Sequence, residues 1–293
     1  MSEFVQIFEV GPRDGLQNEK AKIKPEPKVM LVNMLSQAGF SKIEVTSFVS
    51  PKWVPQMKDA PIVMGGIERH QGVTYAALTP NKMGYQFAQK AMADEVAIFA
   101  AASETFSQHN INCSIAESLE RFKPVLELAK HDGKPVRGYI SCVAGCPYEG
   151  EINPGSVAEI TEKLLALGCY EVSLGDTIGS GTPETIAKML EAVLSVAPTA
   201  KLAGHYHDTG HNALDNIAVS LELGIRTFDS AIGGLGGCPY APGAKGNVST
   251  SKVVNMLHDK GFTTGIDASA LAAIEIFVKE MLTQKPDKKR PLH

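Results

Sequence analysis

The stretch KLAGHYHDTGHNALDNIAVSLELG, residues 201–224, contains one complete unit in which a strand is followed by a helix. Residues 201–207 form a short β-rich run that predicts a buried strand, and residues 211–223 have the apolar spacing of a helix. Gly224 follows this helix, in the position of the left-handed residue that ends many helices. The unit therefore predicts a strand that ends in two histidines and is followed by a helix.

The same unit recurs along the whole chain. Predicted strands cover residues 4–10, 42–47, 73–78, 95–101, 136–142, 171–175, 201–207 and 226–232. Predicted helices cover residues 25–38, 59–69, 81–92, 114–131, 156–167, 182–196, 211–223 and 249–260, and a last one covers 267–282. Near-continuous apolar strands that alternate with helices are typical of a parallel sheet. Eight such units favour a (β/α)8 TIM barrel over a doubly wound sheet, so we predict an α/β TIM barrel with an additional C-terminal helix.

The 293 residues contain no break in composition and no Pro/Gly/Ser-rich linker. We therefore predict a single catalytic domain over residues 1–293, a length that one α/β barrel commonly reaches. The basic run KPDKKR at 285–290 predicts a flexible, solvated tail over residues 285–293.

Composition excludes several classes of partner. The formal net charge is −4 and no long basic run is present, which argues against nucleic acid. Because no apolar run reaches the roughly 18 residues of a membrane span, we expect no membrane partner. The N-terminal residues lack a basic leader segment, and the five cysteines are widely spread. Both features predict a cytoplasmic protein without a disulfide framework.

His205 and His207 are separated by one residue, so on a strand both side chains point to the same face. Two imidazoles there can chelate one divalent cation, or they can be two inward-facing polar residues with separate hydrogen-bond partners. Asp14, past the first strand, and Asn247, after the eighth, are candidate oxygen ligands. This set suits Mg²⁺, Mn²⁺ or Co²⁺, and it lacks the thiolates of structural zinc sites. His211 is expected in the first turn of the next helix, pointing elsewhere.

Other polar residues collect at predicted strand ends. Arg13 beside Asp14 is either a salt bridge at the barrel rim or a fixed cation that stabilises charge on a carbonyl oxygen. Glu44 lies in an apolar strand and requires a partner such as Arg13 or a water. Asp176 either caps the next helix or orients a histidine ligand.

The segment GGLGGCPYAPGAKGN, residues 233–247, has six glycines and two prolines. This composition predicts a loop, and a long loop over the strand ends can close on a substrate. Cys238 lies in its middle, where it is either inert or catalytic.

These motifs resemble the 3-hydroxy-3-methylglutaryl-CoA lyase family, a metal-dependent branch of the aldolase-like TIM barrels. The resemblance covers nearly the whole chain and rests on EVGPRDGLQNE (9–19), IEVTSFVSPKWVPQM (43–57), YISCVAGCPYEG (139–150), SLGDTIGSGTP (173–183), HYHDTG (205–210) and the cysteine-bearing loop 233–247. The chain departs from the family at residues 210–212, where many relatives read HDTYGQA and this sequence reads HDTGHNA. We expect the metal site to survive that change.

The resemblance implies roles for individual residues. The metal ligands that it implies are Asp14, His205, His207 and Asn247. The catalytic residues that it implies are Arg13 at the thioester oxygen, the acidic residues Glu44 and Asp176, and Cys238 as the lid cysteine. The base that removes the hydroxyl proton is either His205 or Asp14, acting directly or through water. Substrate contacts are expected from Arg13, Gln17 and Ser47.

The resemblance implies a lyase that cleaves (S)-3-hydroxy-3-methylglutaryl-CoA to acetyl-CoA and acetoacetate with Mg²⁺ or Mn²⁺. Leucine breakdown, ketone-body formation and a homodimer or homotetramer are also implied. The alternatives are a lyase for a related acyl-CoA, such as citramalyl-CoA or a longer 3-alkylglutaryl-CoA, a condensing synthase, and a barrel that binds CoA or metal without turnover.

Overall fold

The computed structural model describes residues 2–236 and 246–283, so the predicted tail at 285–293 lies outside the described residues. Eight parallel strands close into a barrel. They are β1 (Gln6–Glu9), β2 (Lys42–Ser47), β3 (Thr74–Leu78), β4 (Glu95–Ala101), β5 (Val136–Ser141), β8 (Glu171–Asp176), β9 (Leu202–Tyr206) and β10 (Thr227–Ser230). A small antiparallel hairpin of β6 (Gly145–Cys146) and β7 (Gly150–Glu151) follows β5 and was not predicted.

The barrel closes between the first and last strands of the chain. β1 pairs in parallel with β10, from Gln6 opposite Thr227 to Glu9 opposite Ser230, and its other edge pairs with β2. The strand order around the barrel is β1-β10-β9-β8-β5-β4-β3-β2. Each predicted strand is present with slightly different ends, and the prediction of a TIM barrel is confirmed.

Helices follow the barrel strands along the chain. They are α1 (Pro25–Gln37), α2 (Ala60–Gly66), α3 (Lys82–Lys90), α4 (Glu104–Ile111), α5 (Ile115–His131), α6 (Pro154–Leu167), α7 (Pro183–Leu194), α8 (Ala213–Glu222), α9 (Thr250–Asp259) and α10 (Ala268–Thr283). The predicted C-terminal helix is α10, whereas α4 is an extra helix that the sequence pattern did not predict. Among the described residues, no helix combines the length and apolar character that a bilayer span requires.

Alternate residues of each strand face two different environments. In β8, Val172 and Leu174 pack in the main hydrophobic core, while Ser173 between them donates a hydrogen bond to Asp229 of β10. Burying a side chain such as Leu174 stabilises the fold by about 1.5–3 kcal/mol. The barrel interior is therefore partly polar, although its strands look almost wholly apolar in sequence.

Ion pairs also occupy the amino-terminal end of the barrel. Lys42 at the start of β2 lies 2.5 Å from the carboxylate of Glu95 at the start of β4, and Tyr170 donates a hydrogen bond to the same carboxylate at 2.7 Å. Glu95 is fully buried. These partners satisfy the buried charge at the end of the barrel opposite the functional residues.

Candidate metal centre

The predicted ligands lie at the carboxyl ends of the strands, where TIM-barrel active sites are found. After β1 the chain makes one wide helical turn, Gly11–Gly15, which carries Asp14. β9 ends at Tyr206, one residue earlier than predicted, and His207 instead makes an isolated bridge with Asn247. That bridge brings the segment after β10 back to the end of β9.

Four side chains converge at this point. The Oδ2 atom of Asp14 lies 3.9 Å from Nε2 of His205 and 4.0 Å from Nε2 of His207. The two imidazole Nε2 atoms are 3.3 Å apart, and Nδ2 of Asn247 donates to Oδ2 of Asp14 at 2.7 Å. Asp14, His205 and His207 are the only group of three or more His, Cys, Asp or Glu side chains with metal-ligand spacing in the described residues.

The protonation of these groups suits a divalent cation. Burial, reinforced by the neighbouring His205, lowers the pKa of His207 to about 4, so this ring is neutral near pH 7. Burial alone would raise the pKa of Asp14, but the positive charge of Arg13 and the two histidines hold it well below its usual range. One carboxylate, two imidazole nitrogens and an amide form a donor set typical of Mg²⁺, Mn²⁺ or Co²⁺. The residues present therefore fit the predicted metal.

Backbone geometry holds Asn247 against Asp14. Gly236 has a φ of 106°, and a Cβ atom there would lie 2.9 Å from Nδ2 of Asn247. The carbonyl of Leu235 accepts a second hydrogen bond from that Nδ2 at 3.2 Å, and Gly246 N–H donates to the Gly236 carbonyl at 2.7 Å. The two ends of the glycine-rich loop thus meet beside the candidate ligands. Cys238, in the middle of that loop, lies outside the described residues.

Arg13 lies between two carboxylates. Its Nε donates to Glu44 and its Nη1 donates to Asp14, both at 2.5 Å. Glu44 is fully buried, so the partner expected from the sequence is present. Burial raises the pKa of Glu44 although the charge of Arg13 opposes it, and the two carboxylates raise the pKa of Arg13 above its ordinary value against its own burial. These two hydrogen bonds hold the guanidinium of Arg13 against Asp14, a candidate metal ligand.

Asp176 supports the loop that follows β8. Its carboxylate accepts hydrogen bonds from the backbone N–H groups of Gly181 at 2.8 Å and Ser180 at 3.2 Å, just before α7. A Cβ atom at Gly181 would lie 2.9 Å from that carboxylate. The carboxylate hydrogen-bonded to His205 belongs to Asp229, whereas the side chain of Asp176 contacts the backbone before α7.

The sequence reasoning missed Asp229 and the residues around it. Asp229 lies 3.0 Å from Nδ1 of His205, and Arg137 of β5 holds it through two hydrogen bonds of 2.8 and 3.0 Å. Burial alone would raise the pKa of Asp229, but the guanidinium lowers it to about 2. Glu44 was noticed because it is a charged residue in an otherwise apolar strand. Arg137 in β5 and Asp229 in β10 share this feature, so the same criterion would have identified them.

The remaining predicted residues occupy different surroundings. Ser47 ends β2, is fully buried, and its hydroxyl has no hydrogen-bond partner among the described residues. Gln17 is half-buried and follows the turn Gly11–Gly15. His211 is not in a helix as expected, because α8 begins at Ala213 and His211 sits in the preceding loop with a φ of 62°.

A closed parallel barrel with a cluster of one half-buried carboxylate, two buried imidazoles and a buried amide at its strand ends defines a TIM-barrel enzyme with a candidate metal centre. The chain belongs to the HMGL-like family, whose model matches residues 4–278. This family is metal-dependent, as the sequence had indicated.

Curated relatives are similar along most of the chain. The cytoplasmic 3-hydroxy-3-methylglutaryl-CoA lyase of Mus musculus is 55% identical over 91% of this chain and 78% of its own length. The mitochondrial hydroxymethylglutaryl-CoA lyase of Bos taurus is 53% identical over 97% of this chain and 88% of its own. Since these names cover two compartments, the cytoplasmic location stays a prediction.

Solved structures show the same likeness. The HMG-CoA lyase of Brucella melitensis has 57% identity and a TM-score of 0.95, with 97% of this chain and all of its own chain covered. An HMG-CoA lyase of Acinetobacter baumannii in complex with coenzyme A and 3-methylmalate has 36% identity and a TM-score of 0.91, with 99% and 97% covered. The predictions of the lyase family and of an enzyme of the hydroxymethylglutaryl-CoA lyase class are confirmed.

Proposed function

We propose that the protein cleaves (S)-3-hydroxy-3-methylglutaryl-CoA into acetyl-CoA and acetoacetate by a divalent-metal-assisted retro-Claisen reaction. The observation that carries the proposal is the convergence of Asp14, His205 and His207 at the barrel mouth, with Arg13 alongside. The substrate is a tertiary alcohol between a carboxylate arm and a thioester arm. Its cleavage requires a proton acceptor at the hydroxyl and charge stabilisation at the thioester oxygen.

Asp14, His205, His207 and Asn247 would hold the cation, and Mg²⁺ or Mn²⁺ fits their donor atoms. A cation held there would supply Lewis-acid chemistry that lowers the pKa of the substrate hydroxyl. Asn247 presents Nδ2 to Asp14 in the conformation described. A turn of its side chain about the final bond would offer the amide oxygen instead, since the two orientations have the same shape.

His205 and Asp14 are the residues that can accept the hydroxyl proton, directly or through water. Because the pKa of Asp14 is held well below its usual range, its carboxylate is a weak base at neutral pH. His205 is therefore the better general base, but it can act only while its Nε2 is not bound to the cation, because that nitrogen carries the one lone pair directed into the cluster.

Arg13 would stabilise the enolate oxygen of acetyl-CoA as the carbon–carbon bond breaks. A guanidinium already fixed by Glu44 and Asp14 needs no rearrangement when negative charge develops nearby. Glu44 would hold Arg13 in place, and Asp176 would keep the β8–α7 loop in shape through its two backbone hydrogen bonds. Cys238 would return the proton to carbon.

The Acinetobacter baumannii relative, named as a complex with coenzyme A and 3-methylmalate, supports a CoA thioester as the substrate. Gln17 and Ser47 would contact that substrate. The buried hydroxyl of Ser47, unpartnered among the described residues, lies at the strand end where a polar ligand group could satisfy it.

Product analysis tests this function. The purified chain, incubated with 3-hydroxy-3-methylglutaryl-CoA and Mg²⁺ or Mn²⁺, is expected to release acetyl-CoA and acetoacetate in equal amounts, and a chelator is expected to stop the reaction. Parallel assays with citramalyl-CoA and longer 3-alkylglutaryl thioesters measure specificity. Faster turnover of one of these would replace the methyl substrate as the proposed one.

We also propose a cytoplasmic homodimer or homotetramer that acts in leucine breakdown and ketone-body formation. The four cysteines in the described part of the chain are buried and free, which supports a reducing compartment. Light scattering at several concentrations would test the oligomer, and a monomer throughout would contradict it.

A further inference from the structure

Asp229 is a buried carboxylate within β10 that faces the barrel interior. Arg137 donates from Nη1 to Oδ2 at 3.0 Å and from Nη2 to Oδ1 at 2.8 Å. Ser173 donates to Oδ2 at 2.8 Å, and Nδ1 of His205 lies 3.0 Å from the same oxygen. The Asp229 carboxylate therefore has four polar contacts. Arg137 and Ser173 donate three of them, and His205 makes the fourth.

The ionic state of Asp229 follows from Arg137. Arg137 is fully buried, with Nε paired to Glu171 at 2.7 Å and its guanidinium 4.2 Å from the centre of the Phe8 ring. A buried guanidinium cannot lose its proton, so it must keep an anionic partner. The two parallel hydrogen bonds to Asp229 are the geometry of an arginine and an ionised carboxylate.

An ionised carboxylate accepts hydrogen bonds and cannot donate. The contact between Asp229 and His205 therefore requires the hydrogen to be on Nδ1 of the imidazole. When the ring is neutral, this hydrogen is its only one, and Nε2 of His205 then carries the free lone pair that a metal ligand needs. That Nε2 lies 3.3 Å from Nε2 of His207 and 3.9 Å from Oδ2 of Asp14, inside the candidate ligand cluster.

We propose that Asp229, clamped by Arg137, is the positioning residue that fixes the Nδ1–H tautomer of His205 and directs its Nε2 lone pair at the metal centre. The role rests on the metal-dependent function proposed above and assigns to that site a carboxylate–histidine pair built into the barrel interior. Asp229 acts through His205 and touches neither substrate nor metal.

The two histidines of the cluster differ in the contacts of their Nδ1 atoms. The Nδ1 atom of His207 is buried and has no side-chain hydrogen bond among the described residues. Among the described residues, Asp229 holds the Nδ1 atom of His205, whereas His207 interacts with the backbone of Thr177 instead. We therefore expect substitution at Asp229 to change His205 selectively.

The first test is the tautomer of His205 in the metal-free full-length chain. Nitrogen-15 NMR of histidine-labelled protein distinguishes a protonated Nδ1 from a protonated Nε2, and the spectrum of His205→Gln identifies the resonance by its loss. The expected result is protonation at Nδ1. Protonation at Nε2 near neutral pH would overturn the proposal.

The second test is Asp229→Asn, which keeps the size of the side chain and removes its charge. Ser173, Nη1 of Arg137 and Nδ1 of His205 all meet the same oxygen, Oδ2, so an amide offers them its oxygen only by turning its NH₂ towards Nη2 of Arg137. In either orientation the carboxylate charge that favours a hydrogen on Nδ1 of His205 is lost, so we expect the Nδ1–H tautomer to lose its preference and the Nε2 lone pair to be less available to a cation. The affinity of the metal-free protein for Mn²⁺, measured by calorimetry, is expected to fall about 10- to 100-fold.

Glu95→Gln is the matched control. It also removes a buried, ion-paired carboxylate from a barrel strand, but its partners Lys42 and Tyr170 lie at the opposite end of the barrel. It is expected to reduce stability while the His205 tautomer and the Mn²⁺ affinity stay unchanged. An equal loss of affinity in both variants would overturn the proposal, because general destabilisation would then explain it.

These outcomes separate the positioning role from the proposed function. A parent protein that shows the Nδ1–H tautomer and binds Mn²⁺, yet does not cleave the thioester, contradicts the function and leaves the role of Asp229 standing. A parent that cleaves it, with an Asp229→Asn variant of unchanged tautomer and affinity, contradicts the role alone. If Asp229→Asn does not fold, the tautomer of the parent decides.

Discussion

Arg13 is a buried cation that lies beside a candidate metal ligand. Its guanidinium is buried, held by two carboxylates, and adjacent in sequence to a candidate metal ligand. The sequence left open a rim salt bridge or a catalytic cation. The geometry contains the salt bridge, and because both carboxylates hold the guanidinium at the barrel mouth, the two interpretations are compatible.

Arg13→Gln is expected to lower kcat about 100- to 1000-fold, because one preorganised charge at the developing oxyanion is lost. The measurement is steady-state turnover of the methylglutaryl thioester, with circular dichroism as a check on folding. Arg69→Gln is the matched control, since Arg69 pairs with Asp94 at the surface, where such pairs contribute little. Near-normal turnover in Arg13→Gln would contradict the role.

Glu9, beneath the turn Gly11–Gly15, gives a prediction about pH. Burial raises its pKa from 4.5 to about 7, against hydrogen bonds from Thr250, Ile232 and Gly11. Because the folded pKa exceeds the unfolded one, the stability that neutral Glu9 contributes is complete below pH 4.5. It is lost as the pH rises through about 7.

Glu9→Gln removes this titration. Between pH 4.5 and 7.5 the free energy of unfolding of the parent is expected to fall, relative to the variant, by about 3 kcal/mol. Urea unfolding of both proteins at several pH values measures this double difference, in which the other carboxylates cancel. Parallel stability curves for the two proteins would show that the Glu9 carboxyl does not titrate in this range.

At the scale of elements, local pattern predicted the barrel strands and most helices because each has its own periodicity and end signals. Thr182, for example, caps α7 in a reciprocal pair with Thr185, ahead of Pro183. The hairpin of β6 and β7 was missed because each strand has two residues, too few for any period. The helix α4 was missed because its eight residues lack a clear apolar face.

The glycine-rich loop gives the prediction at this scale. Gly236→Ala is expected to lower Mn²⁺ affinity about tenfold or more, because its new Cβ would push Asn247 away from Asp14. Gly72→Ala is the matched control: Gly72 also has a positive φ, of 85°, but a Cβ there would meet no atom within 4 Å. The control is expected to lose stability by about 1 kcal/mol from backbone strain and to keep its affinity. Equal affinities, measured by calorimetry, would contradict the positioning of Asn247.

At the scale of the whole molecule, the sequence did not reveal which charged side chains pair across the barrel interior. Asp14 and His205 were correctly predicted to lie close together, because Asp14 follows β1, His205 lies at the carboxyl end of β9, and these strand ends meet at one face of the barrel. The link between Arg137 and Asp229 joins residues 92 positions apart across the interior. No local pattern indicates which buried charge faces which, so the sequence could suggest Asp176 as a residue that orients a histidine ligand but could not reveal the contact of Asp229 with His205.

Metal binding is expected to stabilise the whole barrel, because its candidate ligands come from the turn after β1, the carboxyl end of β9 and the segment after β10. At a Mn²⁺ concentration 100 times its Kd the gain is about 2.7 kcal/mol, which should raise Tm by several degrees. Differential scanning calorimetry with and without Mn²⁺ measures it. His207→Ala should abolish the rise, and His131→Ala, which removes an exposed histidine on α5, should keep it. A rise of equal size in both variants would place the ion elsewhere.

The pairing of β1 with β10 means that the ligand cluster joins Asp14 to Asn247, which lie far apart in the sequence. During synthesis on the ribosome, the four candidate ligands cannot assemble until Asn247 has been translated and β10 can pair with β1. We therefore expect the complete ion site to form late in synthesis, after most of the barrel strands have been made.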